Sequence, residues 1–177
     1  MALLVVSVVV SVGLTLVDIT LKQLRLATGA KDSEAAFHAA TAGVECVRYW
    51  RRQLSDQIED GLTLPGVSCF GSAPANINRT SLDPQPPDPI YRYELEFTWS
   101  GRCTKATLVS MKSPFNLPLT LRNVPSAVPG HPGYQSGVDK ECEPGGRCTI
   151  MSVQGYNRSC SNINSFGTVQ REVLLEL

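Results

Sequence analysis

Cys46, Cys69, Cys103, Cys142, Cys148 and Cys160 are the side chains whose chemistry is most legible from type and spacing alone. They are even in number and contain no CxxC pair. The two histidines, His38 and His131, stand at no recognisable ligand spacing to a cysteine, which argues against zinc. Disulfides formed in an oxidising compartment are the expectation. No GxSxG, HExxH, P-loop or paired-carboxylate constellation occurs, so no enzyme, cofactor or metal is expected. His38 falls in an alanine-rich stretch and His131 between Pro129-Gly130 and Pro132, where packing or surface roles are the better reading. Sixteen basic and sixteen acidic residues cancel, and charged residues are 18% of the chain, so no electrostatic footprint for nucleic acid is present.

The elements that must position these cysteines begin with Met1–Val17, MALLVVSVVVSVGLTLV, which carries no charge before Asp18. As a helix this run spans about 25 Å, slightly less than the ~30 Å hydrocarbon core of a bilayer. No basic region precedes it and no A-x-A-like site comes before Asp18, so Met1 reads as a start created by processing, or as a trimmed one. Such a run needs lipid, detergent or other copies around it. Ala2, Ser7, Ser11, Gly13 and Thr15 recur at roughly helical intervals, and small residues let helix backbones approach closely. Ala2, Ser7, Ser11 and Gly13 are therefore read as a packing face between copies, with a plain membrane anchor as the alternative.

The helical pattern continues to Asp60, with no proline before Pro65. Phe37, Ala40, Val44, Val47, Leu54 and Ile58 follow helical spacing and predict an amphipathic second half. Arg48, Arg51 and Arg52 fall near its C-terminus, where cations complement the dipole, and Gly61 can end it. Helix propensity is weakest at Gly13, Thr15, Val17, Asp18, Ile19 and Thr20, which predicts local melting of Gly13–Thr20. Asp18 and Lys22 stand four apart, the spacing of a local ion pair.

Leu62–Pro89 reads as a loop ending in the rigid run Asp83-Pro84-Gln85-Pro86-Pro87-Asp88-Pro89. IYRYELEFTW alternates apolar and polar residues as a strand, and Ser100-Gly101 turns it into a second, Cys103–Lys112, whose alternation slips as at a bulge. Ser113–Gly146 is rich in proline and glycine, with only Leu117–Leu121 suited to a strand, and a loop of this length suggests function or disorder. Cys148–Tyr156 and Thr168–Leu177 are two further strands. The expected fold is α+β: a long N-terminal helix packed on a four-stranded antiparallel meander. The chain of 177 residues divides into an apolar helix, 1–30, and one globular head, 31–177.

Six cysteines allow fifteen pairings, and this topology narrows them. Cys142 and Cys148 flank the turn-rich Glu143-Pro144-Gly145-Gly146-Arg147 and are paired. Cys103 begins the second strand and Cys160 follows the third; if the two strands are antiparallel neighbours, these ends meet. Cys46 is left for Cys69, which would pin the loop after the helix back onto it.

The layout resembles the type IV pilin superfamily, and the resemblance covers the whole chain. KDSEAAFHAATAGVECVRYW looks like the helix signature of pilin-like proteins from reduced-genome episymbiotic bacteria, and SVQGYN with VQREVLLEL resembles their C-terminal strands. The resemblance implies cleavage of a leader and methylation of Met1. It also implies anchoring in the inner membrane beside the assembly machinery, then polymerisation with copies of the chain into an extracellular filament for adhesion, including to host cells, motility or DNA uptake. Val5 stands where the family commonly carries a glutamate, as in certain minor pilins and tip pseudopilins of pili or type II secretion systems. A monomeric, membrane-anchored binding module using the Pro/Gly loop is the rival from another class.

Overall fold

The computed structural model describes residues 2–83, 90–128 and 137–177; Met1, His131 and Pro84–Pro89 lie outside them. Helix α1 runs Ala2–Gln53 without interruption, and after one irregular residue, Leu54, a short α2 covers Ser55–Glu59. Gly61 then turns the chain at φ 67°, packed so closely on the Tyr91 ring that a β-carbon has no room there. Only glycine meets both demands.

Among the described residues seven strands follow: β1 Asn76–Asp83, β2 Ile90–Trp99, β3 Arg102–Lys112, β4 Leu119–Leu121, β5 Lys140–Cys142, β6 Arg147–Tyr156 and β7 Gln170–Glu176. The main sheet is antiparallel in the order β1-β2-β3-β6-β7, and β4 pairs with β5 in a second, two-stranded sheet. The architecture is α+β with five strands in the main sheet rather than four. The extra strand is β1, inside the stretch read as loop: NINRTSLD is polar because it is an edge strand, so period-2 hydrophobicity cannot reveal it.

The expected bulge in β3 is also absent. Pairing runs in register from Tyr91↔Ser110 to Trp99↔Arg102 on one side and from Cys103↔Tyr156 to Lys112↔Arg147 on the other. The alternation slips because the second half of β3 is covered on both faces. Ala106 and Leu108 join Tyr93, Leu95, Phe97, Met151 and Val153 beneath α1, whereas Val109 and Met111 join Ile90, Ile150, Leu121, Val124 and Val128 on the opposite face. That second core is capped by β4, a helical turn α3 (Val124–Ala127) and β5, all within the segment expected to be almost structureless. Proline and glycine there punctuate short elements instead of abolishing them.

Small residues set how close α1 comes to the sheet. Ala36, Ala39, Ala40 and Gly43 are buried, and β-carbons built at Gly43 or Gly155 would overlap Thr104 or the backbone at Ala36 and Ala40, respectively. Thr104 donates a hydrogen bond to the Ala39 carbonyl at 3.1 Å. Phe37, expected on the buried face, lies one position off this line and is half exposed. Arg51 likewise does more than complement a helix dipole: it is buried, 2.8 Å from Glu59 on α2, and donates through Nε to Thr149 on β6.

All three disulfides join the expected partners. Cys46–Cys69 has a Cα separation of 5.9 Å, Cys103–Cys160 of 4.7 Å and Cys142–Cys148 of 5.8 Å. The first ties the loop after α2 to α1, assisted by Trp50 Nε1 donating to the Ser68 carbonyl at 2.9 Å. The second ties a 3-10 turn, Cys160–Asn162, to the start of β3, and the third closes the turn between β5 and β6.

Candidate self-association and anchoring surface

Ahead of the head, α1 presents thirteen Val, Leu and Ile side chains between Val5 and Leu26, each half or more exposed. None of its most apolar window is buried within the chain. Fully burying one such side chain is worth about 1.5–3 kcal/mol, so this surface favours leaving water by tens of kcal/mol. The stretch is longer than Met1–Val17 suggested. Twenty-two residues from Val5 to Leu26 rise about 33 Å, the thickness of a bilayer core. By length and composition the helix could cross a membrane.

The small residues of this segment differ from those of the head. Gly13 has nothing within 4 Å of an added β-carbon, in contrast to Gly43 and Gly155. Ser7, Ser11 and Gly13 are all exposed, so their small size meets no need within the described chain. Ala2 begins the helix, and Met1, the residue expected to be processed and methylated, lies outside the described residues.

Melting at Gly13, Thr15, Val17, Asp18 and Thr20 does not occur: α1 is continuous through all of them. The hydroxyls that lower propensity here are turned back onto the helix. Ser11 donates to the Val8 carbonyl at 2.9 Å, Thr15 to Val12 at 2.8 Å, and Thr20 to Leu16. Asp18 and Lys22 form the expected ion pair at 2.7 Å, clamping one turn across the weakest stretch. The ion pair recovers only part of the propensity deficit of roughly 1 kcal/mol at Gly13, and the hydroxyls at least have their polar atoms satisfied within the helix.

Elsewhere the described residues offer little that could act on a ligand. His38 lies on the exposed side of α1, 3.5 Å from Glu34. On the outer face of β1, β2, β3 and β6, an open groove of about 290 Å³ is lined by Asn76, Asn78, Glu94, Glu96, Lys105 and Gln154. Its charges are mutually paired, Glu96 with Lys105 at 3.0 Å and Glu94 with Arg92 at 3.1 Å. Among the described residues, no three His, Cys, Asp or Glu side chains could together hold a metal ion. Tyr93, the largest fully buried polar-tipped side chain, donates to the Leu62 carbonyl at 2.7 Å, and burial pushes its hydroxyl up to about 12. That bond fastens the loop after α2 to the sheet and belongs to the core.

Comparisons with protein-family models, with curated proteins and with solved structures give no match.

Proposed function

We propose that this chain is a structural subunit, a pilin, whose apolar helix anchors it in the inner membrane and then packs with copies of itself in the core of an extracellular type IV filament. The observation that carries the reading is the division of α1 into two unlike halves. Beyond about Ser33 its small residues are buried against the sheet; before it, thirteen large apolar side chains and a second set of small residues face outward. One rigid helix thus holds a finished interface and an unsatisfied one. A lipid-facing anchor gains nothing from Ser7, Ser11 and Gly13, whereas helices packed side by side gain close backbone contact. The three disulfides suit a head that works outside the cell.

Val5 favours a second role within the same class. With valine in place of the family's common glutamate, the chain fits a minor or tip subunit as well as a major one.

The test is removal of detergent from the purified full chain, followed by electron microscopy. Filaments are expected, together with their loss in Ser11→Phe, a substitution far from the head. Monodisperse particles after detergent removal, or filaments unaffected by Ser11→Phe, would refute assembly through this face.

A further inference from the structure

The end of the head from which the apolar helix emerges gathers arginines from three separate segments, and it carries one apolar side chain with no cover. Arg171 at the start of β7 donates through Nε and Nη2 to Ser33 Oγ, at 2.8 and 2.6 Å, and so marks where α1 leaves the head. The loop between β6 and β7 hangs from the same end. Its 3-10 turn is bonded to the base of β3 by Cys103–Cys160, and the Cys160 amide donates to Thr98 Oγ1 beside the β2–β3 turn. At the tip of this loop Phe166 is fully exposed. Arg158 donates to the Phe166 carbonyl at 3.1 Å, and Arg102 lies 5.9 Å from the centre of the Trp99 ring. Lys22, Arg25 and Lys31 continue the basic character down the helix, Lys22 being paired with Asp18. The acidic residues at this level are Asp32, Glu34, Glu172 and Glu96. Glu34 faces His38, Glu172 accepts from Ser152, and Glu96 is paired with Lys105, which leaves Arg102, Arg158 and Arg171 without a carboxylate partner among the described residues.

We propose that this end of the head docks on the anionic headgroup layer of a bilayer, with Phe166 seated among the lipid headgroups and Arg102, Arg158 and Arg171 against lipid phosphates. The proposal rests on the anchoring of α1 described above. Three features select lipid. Ser33 lies about 10 Å along the helix beyond Leu26, where the exposed apolar stretch ends, and the headgroup layer is itself about 5–7 Å deep. The loop therefore faces the layer that the helix has just crossed. The three arginines complement lipid phosphate, and an exposed phenylalanine beside basic residues is the combination carried by segments that lie in the interface. Docking fixes the tilt of the helix and holds the subunit's base against the bilayer until it is extracted.

The experiment uses the full chain carrying Phe166→Trp, reconstituted into vesicles of phosphatidylcholine or of equal parts phosphatidylcholine and phosphatidylglycerol, with acyl chains brominated near the headgroup. The signal is the fluorescence added to that of the unsubstituted chain, whose own tryptophans are Trp50 and Trp99. Docking predicts quenching and a blue shift that deepen in the anionic vesicles, with contact falling roughly fivefold for each of Arg102→Gln and Arg158→Gln. A chain that floats with both vesicle types but shows no quenching overturns the docking and leaves the anchoring intact. A chain that floats with neither overturns both. A blue shift seen only in lipid-free oligomers would assign Phe166 to a contact between copies and also overturn the proposal.

Discussion

Gly155 on β6 packs against Ala40 on α1 so closely that a β-carbon on the glycine would overlap the Ala40 amide nitrogen. This contact sets the distance between helix and sheet, because Ala36, Ala39 and Gly43 line the same approach. Gly155→Val is expected to destabilise the head by about 3 kcal/mol or more, since backbone rather than a flexible side chain must move. Gly13→Ala, where an added methyl meets nothing, is expected to leave the head unchanged. Denaturant midpoints of the two variants in detergent check the contrast.

Arg51 and Glu59 make the second prediction. Both side chains are nearly out of water at 2.8 Å, and Arg147 approaches Glu59 from the other side at 3.5 Å. Glu59→Leu alone should cost about 3–5 kcal/mol by stranding a buried guanidinium, and Arg51→Met with Glu59→Leu should recover much of that loss. A double-mutant cycle by chemical unfolding gives the coupling directly.

Much of this fold was legible in the sequence, and the failures share a cause. Strand β2 and the second half of the long helix show the period of the main face they bury, β7 alternates Val173 and Leu175 with Glu172 and Glu176, and β6, covered on both faces, shows as a short apolar run. Strand β1 has little to bury, and β3 buries both faces, so neither keeps a clean alternation. Phe37 was misplaced because the buried line of α1 is drawn by small residues, Ala36, Ala39, Ala40 and Gly43, which a search for large hydrophobics passes over. The basic base of the head was illegible because Arg102, Arg158 and Arg171 are far apart in sequence, and only the topology gathers them.

The disulfides should rank by the span they close. Sequence separations are 57 for Cys103–Cys160, 23 for Cys46–Cys69 and 6 for Cys142–Cys148. Chain-entropy arguments assign these roughly 4, 3 and 2 kcal/mol, so pairwise Cys→Ala variants should lose stability in that order. Thermal unfolding of the three double variants checks the order.

High pH should loosen the loop after α2. Tyr93 is raised from 10.0 to about 12, first by burial, with Arg79 opposing. Its stabilising effect is complete below pH 10, where both folded and unfolded forms are protonated. The effect declines as pH rises from about 10 to 12, because the unfolded chain releases the proton first. Stability measured across that window should fall less steeply in Tyr93→Phe.

The most direct measurement of the central claim is a cryo-electron microscopy reconstruction of whatever the detergent-free chain forms. The account predicts a filament whose axis is a bundle of α1 segments at helix-packing distances of about 8–10 Å, with Ser7, Ser11 and Gly13 at the crossings and the heads outside. A filament held together by the heads alone, with Val5–Leu26 pointing away from the axis, would contradict it.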